Sequence, residues 1–259
     1  FLTKTYPDIF YIRSQCVYGW QPDACNPSHK PQDYPKQTYG NNNIRNRGPL
    51  GKQYPHHTWC MEGDTPAFMH LAPYGLNDPC EIDWGGWGGR FGWQKQQNQK
   101  AMSCVGKDQD QYKPYNMYGN TSECTNAVSK WKEGYNNDFA ARMIWSTTSD
   151  YTKANHHPVA VINGDSTKHF IELKGEAGKK VTLDASGSFD PDGNKLSYNW
   201  EFYKEPSSIN SLTMEGNNSS KLTVTIPSGS GKEAHIVLRV VDDGTPKLTS
   251  YRRIIVKPK

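Results

Sequence analysis

The stretch Leu196-Ser197-Tyr198-Asn199-Trp200-Glu201-Phe202 alternates apolar and polar residues, with a tryptophan near its centre. A period of two is the mark of a strand with one face buried. The same alternation recurs in Lys180-Val181-Thr182-Leu183-Asp184, Lys221-Leu222-Thr223-Val224-Thr225-Ile226, His235-Ile236-Val237-Leu238-Arg239-Val240-Val241 and Arg253-Ile254-Ile255-Val256. Turn clusters such as Asp190-Pro191-Asp192-Gly193-Asn194 and Asp242-Asp243-Gly244-Thr245-Pro246 lie between these runs. Short alternating strands packed into about 100 residues predict an immunoglobulin-like β-sandwich. Trp200 would be its core tryptophan. No cysteine falls in this half, so packing alone must hold it.

Upstream of residue 154 the composition changes. Residues 1–153 are rich in Tyr, Trp, Asn, Gln, Pro and Gly and poor in aliphatic runs, and little between Gly19 and Pro55 is periodic. A loop of that length in a compact domain is usually functional or pinned by disulfides. Asp64-Thr65-Pro66-Ala67-Phe68-Met69-His70-Leu71 carries a helix-start signature, with Asp64 as cap and Pro in the first turn. Phe139-Ala140-Ala141-Arg142-Met143-Ile144-Trp145 predicts a second helix, capped by Asn137 or Asp138. Tyr6–Arg13 reads as a strand. With no initiator Met and no apolar leader, Phe1-Leu2-Thr3-Lys4 reads as the start of a processed or truncated chain that opens inside a larger fold. The expected organisation is therefore one domain over residues 1–153 and the sandwich over 154–259.

At 259 residues and 12% aromatic content the chain can bury a core and is not disordered. A net charge of +4 with no Lys/Arg run excludes a nucleic-acid footprint. No apolar stretch approaches the ~20 residues of a membrane-spanning helix. The six cysteines, Cys16, Cys25, Cys60, Cys80, Cys104 and Cys124, all fall in the first half and lack metal-site spacing. An even count of this kind favours disulfides and a secreted protein. Sequence order suggests that neighbours pair (16–25, 60–80, 104–124), although six cysteines leave the connectivity open. Sequons at Asn120, Asn217 and Asn218 would accept glycans in a eukaryotic source.

Three groups of residues carry the chemistry. Glu62 and Asp64 stand one residue apart ahead of a helix, where carboxylates orient hydroxyls, ligate a hard cation or act as acid and base. Asp64 as a plain cap and Glu62 as a solvated side chain is the simpler alternative. Asn137-Asp138 offers a second amide–carboxylate pair, again with a cap as the alternative. The nonapeptide Asp83-Trp84-Gly85-Gly86-Trp87-Gly88-Gly89-Arg90-Phe91 sets a guanidinium among aromatics on a glycine-rich turn. Trp84, Trp87 and Trp93 would offer flat faces to sugar rings, and Arg90 would hold hydroxyls or carboxylates. The alternative is that the tryptophans bury themselves and Arg90 pairs locally. His56-His57 and His156-His157 are adjacent pairs whose side chains diverge, so a shared metal is not expected; the second pair reads as a structural hinge, and His70 as packing.

Two resemblances extend these readings. Leu183-Asp184-Ala185-Ser186-Gly187-Ser188-Phe189-Asp190-Pro191-Asp192-Gly193, with Tyr198–Phe202 and Val240-Val241-Asp242-Asp243-Gly244-Thr245, resembles a polycystic-kidney-disease-like module. That resemblance implies an accessory or glycan-associated module. Glu62–Leu71, Gly75-Leu76-Asn77-Asp78-Pro79, Trp84–Phe91, Asn137–Trp145 and Ala154-Asn155-His156-His157-Pro158, in that order, resemble a family of secreted cellulose-binding-type proteins. Those proteins join a nucleoside-hydrolase-like domain to a C-terminal sandwich. The resemblance implies an α/β, Rossmann-like first domain, here its later, loop-rich and disulfide-bonded portion, with the Asp-rich opening loop missing from this chain. It implies a secreted glycosidic-bond hydrolase whose catalytic residues are Glu62, Asp64 and Asp138, with Trp84, Trp87, Arg90 and Asn137 binding substrate. The competing expectations are non-catalytic polysaccharide binding and a structural extracellular glycoprotein. Asp138 resembles the late Asp of a calcium site. Calcium takes about six to eight oxygen ligands, so Asp138 would bind Ca²⁺ only alongside an upstream Asp cluster. The expected partners are a carbohydrate or glycoside and a separate fragment supplying the start of the domain.

Overall fold

The computed structural model describes residues 5–6, 11–13, 40–54, 68–72, 74–93, 117–120, 124–229 and 231–259. Within them, the first half contributes three short strands, β1 (Tyr11–Arg13), β2 (Phe91–Trp93) and β3 (Met117–Asn120). They form a sheet ordered β1-β3-β2, parallel between β1 and β3 and antiparallel between β2 and β3. Among the described residues the helices α1 (Gly48–Gln53), α2 (Cys124–Ser129) and α3 (Lys132–Trp145) accompany them, and Phe68–Met69 are also helical.

α3 corrects one expectation. Gly134, Asn136 and Asn137 are weak helix formers, and the sequence predicts a start no earlier than Asn137. The helix begins at Lys132 instead, so Asp138 lies in its interior and caps nothing. Packing overrides propensity here: Trp131 and Tyr135 are each 1% exposed, and their burial fixes the first turns.

The second half is all β. The strands are β4 (Ile171–Gly175), β5 (Lys180–Asp184), β6 (Leu196–Tyr203), β7 (Met214–Glu215), β8 (Lys221–Thr225), β9 (Ala234–Asp242) and β10 (Thr249–Pro258). They form two sheets, ordered β4-β10-β9-β6 and β5-β8-β7. β4 and β10 are parallel; the other pairs are antiparallel. One core lies between the sheets. Trp200, Ile236, Leu238, Val240, Ile254 and Val256 enter it from the first, Leu183, Leu222 and Val224 from the second. Trp200 sits where its alternation put it, and its indole Nε1 donates to the Ser219 carbonyl over 2.9 Å.

β9 has a burial pattern that a two-layer sandwich does not explain. Ile236, Leu238 and Val240 face the sandwich core, yet His235 and Val237 on the opposite face are also fully buried. The outer face of this sheet is covered by the first half of the chain. Val237, Tyr203 and Tyr251 join Leu76, Trp87, Val128, Trp131 and Tyr135 in a second cluster. Elements on both sides of residue 153 thus share one buried layer, in which helix, sheet and glycine-rich loop meet.

Candidate functional site

The nonapeptide closes on itself. Gly86 and Gly89 exchange backbone hydrogen bonds of 3.1 and 2.9 Å around Trp87-Gly88, and Phe91 N donates to the Ile82 carbonyl. Gly85 has φ +83°, and a Cβ on it would stand 2.4 Å from the Tyr203 hydroxyl. Only glycine meets both demands. The Arg90 guanidinium donates to the Asp83 carbonyl over 3.2 Å, which staples the turn.

This geometry parts the two tryptophans. Trp87 is 0% exposed. Tyr74 stacks on it at 4.0 Å, Tyr135 and Tyr251 meet it edge-on, and its indole N–H donates to the Tyr251 hydroxyl over 3.3 Å. The expectation that Trp87 offers a face to a sugar is overturned, because aromatic neighbours in the shared core hold that ring. Trp84 stands at the rim. Its ring meets Phe170 at 4.9 Å and His235 at 5.2 Å, both edge-on.

Trp84 borders a cleft of about 160 Å³ at the seam between the halves. Leu71, Asn77, Asp78, Lys168 and Phe170 are among its walls, with Arg253 at the base. Leu71 and Phe170 are 55% and 41% exposed, apolar surface left open beside polar groups. Arg253 is 1% exposed. Its Nε donates to the Leu76 carbonyl (2.7 Å), its Nη2 to the Gly85 carbonyl (2.8 Å), and its Nη1 to His235 Nδ1 (3.1 Å). Burial pushes this guanidinium down to about 10, so it stays charged at neutral pH. His235 must accept from it, which leaves Nε2 as the protonated nitrogen, 3.4 Å from Glu233 Oε1. Burial first, then the Arg253 charge, pushes His235 down to about 3. The sequence offered no signal for Arg253 beyond a charge interrupting an apolar strand.

Asp138 is the centre of a second constellation. Its Oδ2 accepts from Arg142 Nε (2.7 Å) and the Tyr74 hydroxyl (3.1 Å), and its Oδ1 lies 2.9 Å from His157 Nε2. The other ring nitrogen of His157 faces the Thr249 carbonyl at 3.0 Å, and Arg142 Nη2 donates to the Tyr74 hydroxyl at 2.6 Å. Burial raises the Asp138 carboxyl, but the hydrogen bonds from His157 and Arg142 outweigh it and hold the group below the usual carboxylate range. Burial pushes Tyr74 up to about 12, with the Asp138 charge adding to it. With both oxygens engaged by donors, this carboxylate does not fit a cation in its present arrangement. Among the described residues no group of three or more His, Cys, Asp and Glu is placed to hold a metal.

Asn137 is not among the residues lining the cleft. It lies half-buried on α3, and Glu62 and Asp64 lie outside the described residues. The adjacent histidines diverge: His156 stacks on Tyr151 at 3.6 Å and contacts Asp192, while His157 turns to Asp138. Cys80 is exposed and carries a free thiol, and the partner expected for it, Cys60, lies outside the described residues; Cys80 sits in a tight turn where Asp78 Oδ1 accepts its backbone N–H. Cys16, Cys25, Cys60 and Cys104 lie outside the described residues, as does the side chain of Cys124. Asn217 and Asn218 are exposed at the turn between β7 and β8, whereas the side chain of Asn120 is not described.

Comparison with known proteins gives this geometry a context. No curated protein matches the chain. Among solved structures, a nucleoside hydrolase-related hypothetical protein from Saccharophagus degradans, described as associated with carbohydrate metabolism, superposes with a TM-score of 0.85 at 41% identity. The match covers 100% of this chain, which spans 59% of that one. The PKD domain from KIAA 1837 protein, 30% identical, covers 35% of this chain and 81% of its own with a TM-score of 0.27. Residues 1–91 match the nucleoside hydrolase-like domain of cellulose-binding Sde182, and residues 180–258 match the C-terminal domain of cellulose-binding protein Sde0182. The chain is thus matched, in order, by both domain models of the cellulose-binding Sde182 proteins.

Proposed function

We propose that this chain is the carbohydrate-binding portion of a secreted, cellulose-binding-type protein and holds a saccharide in the cleft at the seam. The observation that carries this reading is the lining of that cleft. Trp84, Leu71 and Phe170 provide apolar surface for the C–H face of a sugar ring, next to polar groups on Asn77, Asp78 and Lys168. Small-molecule sites are concave and mostly apolar, with a few placed polar groups. The two family-model matches and the carbohydrate-associated relative support the same ligand class.

A hydrolase is the second reading, favoured by the match of residues 1–91 to a nucleoside hydrolase-like domain. Glu62 and Asp64 fall within that segment, and an oxocarbenium-like transition state would be served by such carboxylates. Calcium belongs to this reading only, and only with an upstream acidic cluster supplying most ligands. Secretion is supported by the number of cysteines and by the exposed sequons at Asn217 and Asn218.

One pair of measurements separates the readings. Cello-oligosaccharide binding is followed by calorimetry, and reducing-sugar release by end-group assay. Binding without release, weakened by Phe170→Ala and Trp84→Ala, is the expected result. Phe170 is exposed, so its truncation leaves the fold intact. Release that disappears in Glu62→Gln or Asp64→Asn would establish the hydrolase instead.

A further inference from the structure

The lining of the seam cleft carries two cations, Arg253 and Lys168, against one carboxylate, Asp78. Arg253 lies at its base, 1% exposed, and all three of its acceptors are neutral. The Asp83 and Asp78 carboxylates act on the Arg253 charge without hydrogen-bonding it, and Lys168 stands exposed on the wall. Asp78 is the one carboxylate in the lining, and it already accepts from the Cys80 N–H. Buried charge is ordinarily paired, because leaving it uncompensated in a low dielectric is costly.

A neutral hexose offers such a cleft only hydroxyls. A sugar acid offers the same apolar C–H face plus a carboxylate, the group that a lysine ammonium and a nearby guanidinium attract most strongly. Resting on the reading of this cleft as a saccharide site, we infer that it selects a uronic acid unit of an acidic polysaccharide over neutral glucose. The ring lies against Trp84, Phe170 and Leu71, and its carboxylate reaches Lys168. Arg253 contributes through its field rather than by contact, since its nitrogens are committed to Leu76, Gly85 and His235.

The test titrates the full chain calorimetrically with a glucuronic-acid-terminated oligosaccharide and with its neutral glucose counterpart. The acidic sugar is expected to bind at least about tenfold more tightly. That advantage should collapse in about 1 M salt and in Lys168→Gln, a surface change that leaves the fold intact. Equal affinity for both sugars overturns the charge selection and leaves the saccharide reading standing. An acidic preference untouched by Lys168→Gln also overturns it, since the carboxylate then sits elsewhere. Binding of neither sugar overturns both readings together.

Discussion

Arg253 Nη2 donates to the carbonyl of Gly85 across 2.8 Å, joining β10 to a loop 168 positions away in sequence. The same guanidinium holds the Leu76 carbonyl, so one side chain anchors two points of the first half onto the sandwich. Trp84 and Tyr203 flank it, their ring centroids 5.7 and 5.4 Å away. Replacing it by Met would leave two carbonyls and His235 Nδ1 buried without a donor. Each orphaned group costs about 1–3 kcal/mol, so Arg253→Met is expected to lose roughly 3–5 kcal/mol. Chemical denaturation measures this, and a loss below about 1 kcal/mol would show that the anchor is unimportant.

Acid should weaken the same seam. His235 has its ordinary value of 6.5 in the unfolded chain and about 3 in the folded one. A depressed base is neutral when folded and takes up its proton first when unfolded. Its stabilisation is therefore whole above about pH 6.5 and drains away as pH falls toward 3. Over that window the loss should reach roughly 3–5 kcal/mol. His235→Asn, which keeps an acceptor for Arg253 without a titrating ring, should flatten this limb. Parallel pH profiles for the two proteins would refute the assignment.

Asp138 is expected to matter more for the fold than for chemistry. Asp138→Asn removes the charge that Arg142 and His157 share and leaves the half-buried His157 ring facing an amide. Arg142 is 50% exposed and can turn to water, which limits the damage. A loss of about 2–3 kcal/mol follows. Because the folded carboxyl is held low, its contribution is complete above the unfolded value and fades as pH drops through the folded one. The readout is stability against pH with saccharide affinity measured alongside. An affinity collapse at unchanged stability would return Asp138 to the ligand.

The strands of the sandwich were legible because alternation is a local signal. Leu196–Tyr203 turns Trp200 into the sandwich core with Leu196, Tyr198 and Phe202 on the same face, as a two-period strand must, and the turn at Asp190–Asn194 bears its Asx hydrogen bonds. β4 escaped notice, although Ile171 and Leu173 alternate with Glu172 and Lys174, because its parallel pairing to β10 depends on residues far downstream. The seam was illegible for the same reason. Nothing near Trp87 distinguishes it from Trp84, yet one is sealed by Tyr74, Tyr135 and Tyr251 while the other reaches a cleft. Partners decide that, and they lie up to 164 positions away. Nothing in the sequence around Arg253 marks it as buried, because the layer that buries it comes from the other half of the chain.

Gly134 tests how closely helix and sheet approach in that layer. Exchanging a helical glycine for alanine ordinarily stabilises by about 1 kcal/mol. At Gly134 a Cβ would stand 2.2 Å from the Tyr251 hydroxyl and 3.5 Å from the Trp87 ring. Gly134→Ala is therefore expected to destabilise by about 2 kcal/mol, as overpacking does. Tyr251→Phe alone should cost about 1 kcal/mol by removing the acceptor of the Trp87 N–H. Deleting that hydroxyl also removes the clash, so the double variant should be more stable than the sum of the single losses predicts. A double-mutant cycle reads this coupling directly. Strict additivity would mean that α3 shifts away from β10 at little cost, and that the shared layer is looser than the close approach at Gly134 indicates.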